Sequence, residues 1–296
     1  MPVCQIVHLN GSFLPLAEAR ISPLDRGFLF AHAAYEVTAV YGGRFIDMPG
    51  HLTRLSRTLA GIALPDPLSP SGWEALHKEL IVRNDLNEGI VYLEVTGGAY
   101  DVRDFAGPET FVPTVFAYAD SRKLIGAEAR DGIKVVFLDD TRWKRRDMKT
   151  VQLLSQGLAY RTAKARGADT AFMVEDGFVT EAASSNAWIV TPSGEIITRH
   201  LSPAILPGIT RAGVMALRGK GGFAVTERAF TPDEAVNAAE VFTTSSGAMV
   251  APVTHIEGRP VGDGKPGPVT RQIQRLYYEA MGADLAAVAP WAMERA

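Results

Sequence analysis

Two short stretches decide how this chain reads: Arg146-Asp147-Met148-Lys149-Thr150 and, further on, Thr180-Glu181-Ala182-Ala183-Ser184-Ser185-Asn186. Val151, Leu153 and Leu154 follow the lysine at once, so its stem is expected to enter the interior. Lys78, Lys123, Lys134, Lys164, Lys220 and Lys265 lie instead in polar, surface-like surroundings. Cations at Arg142, Lys144, Arg145 and Arg146 would disfavour a further positive charge and so favour the neutral, nucleophilic amine. Glu181 stands among small and polar neighbours, where a carboxylate can face a nitrogen heterocycle. Each stretch also has an ordinary reading, a basic surface loop for the first and a turn or helix cap for the second. Asn186 reads as a turn residue able to orient that loop.

Two further segments give the pair a context. Leu206-Pro207-Gly208-Ile209-Thr210 opens a helix, and the free N–H groups of a first helical turn point at an anion while glycine admits close approach. Arg54, in His51-Leu52-Thr53-Arg54-Leu55, offers a bidentate cation, and Ser246 a hydroxyl donor. An amine for a Schiff base, an acid for a ring nitrogen and a phosphate cradle together match the needs of pyridoxal 5'-phosphate.

Bulk properties leave room for such chemistry and exclude little else. The 296 residues suffice for two domains, and a net charge of -3 gives no general pull toward nucleic acid or anionic membrane. Cys4 is the only cysteine, so no internal disulfide forms. The first residues lack the cationic start and apolar run of a signal peptide, and no apolar stretch reaches the ~20 residues of a membrane span. A cytoplasmic setting is expected. His8, His32, His51, His77, His200 and His255 are scattered without paired ligand spacing, so no metal is expected; His51 reads as part of the helix start at Arg54.

Along the chain, Asn10-Gly11 and Gly42-Gly43 mark hairpins, the second returning through residues 44–48. Leu52, Leu55, Leu59 and Ile62, and then Trp73, Leu76, Leu80 and Ile81, repeat with helical spacing. Strands are expected at residues 90–96, 112–119, 133–138, 170–175, 178–180, 186–191, 223–227 and 240–244. Helices are expected at 152–166, from Gly208 through Leu217, and around Val269, Ile273, Leu276, Tyr277 and Ala280. The fold class is α+β, as two mixed α/β domains: a smaller one over residues 1–120, a linker at 121–131 and a larger one over 132–296.

Taken in order, these segments resemble the fold-type IV pyridoxal phosphate enzymes, and most closely the D-amino acid aminotransferases. The likeness covers nearly the whole chain, from Asp25-Arg26-Gly27-Phe28 and Tyr35-Glu36-Val37 through Arg142-Trp143 to Gly208-Ile209-Thr210-Arg211 and Thr243-Thr244-Ser245-Ser246. It implies that Lys149 carries the cofactor as a Schiff base and moves the substrate α-proton, while Glu181 pairs with the ring nitrogen. Arg54, Gly208, Ile209, Thr210 and Ser246 would hold the phosphate, and Leu206 would pack on the ring. It also implies a homodimer with the site near the subunit interface, and ping-pong transfer between an amino donor such as D-alanine or D-glutamate and a 2-oxo acid such as 2-oxoglutarate or pyruvate.

The same resemblance assigns the substrate carboxylate to Tyr35 and to a loop at Arg103-Asp104-Phe105, with Ser245 alongside. Phe105 stands where histidine is usual, and Gly97 where many relatives carry arginine. These departures leave open an (R)-selective amine transaminase or a branched-chain aminotransferase on the same fold. A salt bridge to Asp101 or Asp104 is the ordinary alternative for Arg103. A reading from a different class makes the basic run Arg142-Trp143-Lys144-Arg145-Arg146 a nucleic-acid contact, with Trp143 stacking on a base.

Overall fold

The computed structural model describes residues 5–293, which leaves Cys4 outside the described residues. The described chain divides into two compact units. Residues up to Leu124 form the first together with Met148–Leu153, and Ile125–Asp147 form the second with the residues from Leu154 onward.

The first unit comprises β1 (Ile6–Leu9), β2 (Ser12–Pro15), α1 (Arg26–Phe30), β3 (Ala33–Tyr41), β4 (Arg44–Phe45), α2 (Met48–Gly61), α3 (Pro70–Arg83), β5 (Glu88–Thr96) and β6 (Thr114–Ser121). Its sheet runs β2-β1-β6-β5-β3-β4. Asn10 and Gly11 both adopt positive φ, as the tight β1–β2 turn demands. Strict alternation gives the sheet two unlike faces. Ala34, Val40, Val91, Leu93, Val95, Val115, Ala117 and Ala119 point into the core beneath Leu55, Leu59, Trp73, Leu76 and Leu80. Tyr35, Val37, Tyr92, Glu94, Phe116 and Tyr118 line the other face, each half-buried. The strand expected to continue to residue 48 ends at Phe45, because Pro49 presets φ for the first turn of α2.

The segment Met148–Leu153 lies within the first unit, whereas the boundaries read from sequence put it in the second. It is extended. Thr150 bridges Ala34, the Tyr35 amide donates to the Lys149 carbonyl at 3.0 Å, and the Val151 amide donates to the Ala33 carbonyl at 3.2 Å. Local sequence suggests the start of a helix here, but pairing with β3 prevails and the helix begins only at Leu154.

The second unit contains α4 (Ala127–Asp131), β7 (Ile133–Asp139), α5 (Leu154–Ala165), β8 (Thr170–Glu175), β9 (Phe178–Ala182), β10 (Asn186–Val190), β11 (Ile196–Thr198), α6 (Ile209–Ala216), α7 (Arg218–Gly221), β12 (Val225–Glu227), α8 (Pro232–Val236), β13 (Glu240–Ser245), β14 (Met249–Ile256), β15 (Arg259–Pro260), α9 (Pro268–Ala280) and α10 (Leu285–Val288). The strands follow the order β12-β11-β10-β13-β14-β7-β8-β9, with β15 on β14. Residues 121–131, expected as linker, hold the end of β6 and all of α4. β14 has no counterpart in the sequence reading because Pro252 argues against a central strand. The strand forms nonetheless, pairing Phe242 with Pro252 and adding Ala251, Val253 and Ile256 to the core.

Candidate active site

The predicted residues fall into two groups, one in each unit. In the first unit, Lys149 lies between buried Met148 and buried Thr150, and its amide donates to Thr58 Oγ1 at 3.3 Å. Its Nζ lies 4.1 Å from the centroid of the Tyr35 ring, a cation–π contact. No carboxylate comes within ion-pair distance of this ammonium among the described residues. Leu154, expected to draw the lysine inward, is 78% exposed; the extended segment half-buries it instead.

On the opposite face of β3, Glu36 is the centre of a buried charge cluster. Arg54 donates from Nε and Nη2 to its two oxygens at 2.7 Å each, and His51 Nδ1 lies 2.7 Å from Oε2. Burial alone would raise the pKa of Glu36, but the charge of Arg54 and the hydrogen bonds from Arg54 and His51 outweigh it and hold the carboxyl well below its usual range. Burial in turn lowers the pKa of His51, against the pull of Glu36. Both His51 and Arg54 project from α2, so one strand residue fixes the guanidinium in place.

The loop of Arg103 is tied to its own unit. Arg26 donates from Nη1 to the Asp104 carbonyl at 2.6 Å and from Nη2 to the Phe105 carbonyl at 2.8 Å. Arg103 makes no ion pair with Asp101 or Asp104; its guanidinium sits 5.0 Å from the rings of both Phe30 and Phe105. Phe105 is 75% exposed. Gly97 leaves room for His32 and Arg26, since a Cβ there would stand 2.9 Å from His32 Nδ1 and 3.2 Å from Arg26 Cδ.

In the second unit, Glu181 is buried on β9 and every bond to it is accounted for. Arg142 Nη1 pairs with Oε1, while Asn186 Nδ2 and the Leu206 amide donate to Oε2 at 2.9 and 3.1 Å. Burial raises the Glu181 pKa and Arg142 opposes the rise. Arg142 also bonds both oxygens of Asp140, which accepts from Thr180 Oγ1 as well. Asn186 donates a second time to the Leu206 carbonyl at 2.9 Å. It is the first residue of β10 rather than a turn residue, and it joins the acid to the strip that opens α6.

Gly208 is the N-cap of α6, and no side chain caps this helix, so Ile209 and buried Thr210 begin it with first-turn amides uncapped by any side chain. Ser245 ends β13 and accepts from the Ala248 amide at 3.2 Å, with Ser246 next in the same turn. The basic run is neutralised within its own unit. Arg142 meets Asp140 and Glu181, Lys144 meets Glu175, Arg145 meets Asp147, and Arg146 meets Asp140 and Glu175. These cations answer carboxylates of their own unit. The contacts of Asp140, Glu36, Arg26 and Glu94 were not read from sequence, although Arg26 and Glu36 stand in stretches that carry the resemblance. Asp140 lies two residues from Arg142, and Glu36 next to Tyr35, but neither spacing announces an ion pair.

The pattern of the amino-transferase class IV family matches residues 33–256. A D-alanine aminotransferase of Bacillus licheniformis is 35% identical over 280 residues, covering 95% of this chain and 98% of the relative. One from Listeria monocytogenes is 34% identical, over 92% of this chain and 95% of its own length. Among solved structures, the branched-chain amino acid aminotransferase of Escherichia coli superposes with a TM-score of 0.86 at 22% identity, covering 93% of this chain and 94% of its own. A second branched-chain amino acid aminotransferase, solved with pyridoxamine 5'-phosphate, gives a TM-score of 0.85 at 26% identity, over 94% of each chain. The branched-chain aminotransferase of Thermoproteus uzoniensis, solved with norvaline, gives 0.82 at 24% identity, over 97% of this chain and 98% of its own.

Proposed function

This chain belongs to the class IV aminotransferases, and we propose that it uses pyridoxal 5'-phosphate to move the amino group of a D-amino acid, such as D-alanine or D-glutamate, to 2-oxoglutarate or pyruvate. The observation that carries this reading is Lys149: a half-buried side chain whose Nζ faces the Tyr35 ring and has no acid partner among the described residues. The two relatives of about one-third identity, named as D-alanine aminotransferases, support the D-amino acid side of the choice.

The donor set fits the cofactor. Glu181 offers a buried carboxylate whose pKa burial raises against the pull of Arg142, and a protonated ring nitrogen would favour its charged form further. Ile209 and Thr210 offer uncapped first-turn amides, Gly208 close approach, and Arg54 and Ser246 a cation and a hydroxyl for the phosphate. Leu206 is the apolar wall held by Asn186. When bound, the cofactor supplies an electron sink beside the reacting carbon.

The remaining work is done by the chain's own groups. Lys149 Nζ takes the α-proton of the donor and returns a proton in the second half of the reaction. Glu181 would hold the ring nitrogen of the bound cofactor, and Arg142, anchored on Asp140, fixes the carboxylate's orientation. Tyr35 and Arg103 orient the donor carboxylate, with Phe105 and Ser245 shaping its surroundings. Donor and acceptor use one site in turn, which gives ping-pong kinetics.

A homodimer and a cytoplasmic setting complete the proposal. The exposed apolar side chains of Phe28, Val102, Phe105 and Leu154 support an interface between copies, and the single cysteine suits a reducing compartment. No helix among the described residues is long and apolar enough to cross a membrane. The test is a half-reaction screen of the holoenzyme with D-alanine, D-glutamate, L-leucine and (R)-1-phenylethylamine, followed by the cofactor's visible absorbance. D-alanine should convert the cofactor. Conversion by L-leucine alone, or by the amine alone, would replace this reading with the branched-chain or amine-specific one.

A further inference from the structure

The half-buried face of the first unit's sheet carries a carboxylate that the reaction above does not use. Glu94 on β5 stands directly opposite Tyr35 on β3 in the antiparallel register, so the two side chains share one face. The Tyr35 ring stacks on Tyr92, with centroids 5.7 Å apart, and Tyr92 stacks on Tyr118 at 5.1 Å. Lys149 Nζ lies over the outer end of this ladder. The hydroxyl of Tyr92 donates to Glu94 Oε2 at 2.7 Å, and no lysine or arginine pairs with Glu94 among the described residues.

A carboxylate accepts about four hydrogen bonds, and among the described residues one side chain, Tyr92, donates to Glu94. Burial raises the pKa of Glu94, against the hydrogen bond from Tyr92, as expected for an acid that lacks a cation. Such a group in a half-buried, low-dielectric place attracts a donor or a cation and repels another carboxylate. Tyr35, which the proposed reaction gives to the donor carboxylate, shares that face, and Lys149 lies over its ring.

Resting on the aminotransferase reading above, we propose that Glu94 is a specificity-determining residue, favouring substrates whose side chain ends in a hydrogen-bond donor or a cation over those that end in a carboxylate. D-glutamine and D-ornithine are then better donors than D-glutamate, and pyruvate a better acceptor than 2-oxoglutarate. Tyr92 positions the carboxylate, and the tyrosine ladder keeps it from turning away.

The isosteric pair glutarate and glutaric acid monoamide tests this by calorimetric titration of the holoenzyme, since the two differ only in one terminal charge and its donors. The wild type should bind the monoamide about tenfold more tightly, the scale of one like-charge contact at a half-buried site. Glu94→Gln keeps an acceptor for the Tyr92 hydroxyl and removes only the charge, so it should erase the preference and raise turnover of D-glutamate relative to D-alanine about tenfold. Equal wild-type affinities, no binding of either ligand, or a preference that survives Glu94→Gln would overturn the proposal. The wild-type ratio needs no variant, so misfolding of Glu94→Gln leaves it decisive. Turnover of D-alanine reads the aminotransferase activity separately: its absence sinks that reading, while the binding ratio judges Glu94.

Discussion

The side-chain oxygen of Asn186 lies so close to Gly208 that a Cβ built on that glycine would stand 2.0 Å from it. The glycine is not needed for its backbone angles, since φ is -65. It is needed for space. Asn186 holds both Glu181 and the Leu206 carbonyl, so the empty side of Gly208 lets one amide connect the acid on β9 to the strip that leads into α6.

Gly208→Ala should therefore push Asn186 off both partners. Forcing a methyl into such a gap costs about 1–3 kcal/mol, and the Glu181 carboxylate loses a hydrogen bond at the same time. A lower Tm and at least about tenfold weaker binding of pyridoxal phosphate, measured by equilibrium dialysis, are expected. If both stay unchanged, the asparagine amide is free to move aside and does not couple the two elements.

Lys149→Ala should remove transamination and the visible absorption that marks lysine-bound cofactor, because no other lysine lies on the segment paired with β3. The phosphate-holding groups stay in place, so noncovalent cofactor binding should persist. Turnover at the wild-type rate in this variant would assign the reacting amine elsewhere.

Glu181→Gln keeps the hydrogen-bonding shape but leaves Arg142 with only Asp140 as its carboxylate partner. Cofactor should remain bound while loss of the substrate α-proton slows by about 100-fold or more, the size of effect typical when a single charge at a reacting centre is removed. Single-turnover kinetics with α-deuterated D-alanine measure this step. An unchanged rate would reduce Glu181 to a structural acid.

Arg103→Ala should discriminate between substrates. The side chain is exposed and packs only on Phe30 and Phe105, so the fold should lose little. Activity with D-alanine is expected to fall by about tenfold or more while activity with simple amines is retained. Equal losses with both would mean that the loop, rather than the cation, was disturbed.

The first unit should lose stability as pH falls below neutrality. His77 is buried against the Trp73 carbonyl, 2.8 Å away, and burial lowers its pKa from 6.5 to about 4. The folded-state value lies below the unfolded one, so the folded protein binds this proton less readily. Its stabilising contribution is complete above about pH 6.5 and disappears as pH drops toward about 4, with an upper bound of about 3 kcal/mol. His77→Gln should flatten the dependence of urea-unfolding free energy on pH across that window. An identical slope in the variant would trace the acid sensitivity to other groups.

Much of this protein is written locally. The periods of Leu52, Leu55, Leu59 and Ile62 and of Trp73, Leu76 and Leu80 give α2 and α3, and Asn10-Gly11 gives the first hairpin, because each depends only on neighbours in the chain. The family resemblance carried by Lys149, Glu181, Arg54 and the Gly208-Ile209-Thr210 strip was likewise legible, since an ordered set of uncommon residue types carries a resemblance whatever its geometry. The strand β14 was not, because Pro252 contradicts local preference and only pairing on both sides with β13 and β7 holds it.

Sequence by itself determined the class of fold, most elements and the residue types that can act on a carbon–nitrogen bond. Tertiary structure alone decided which charges answer one another. Arg142 joins Asp140 to Glu181, Arg54 locks onto Glu36, Arg26 ties down the loop of Arg103, and Glu94 faces Tyr92 with no cation among the described residues. The physical reason is range: a hydrogen bond or an ion pair acts over a few ångströms of space, and residues far apart in the chain come within that distance only after the sheets have set their register.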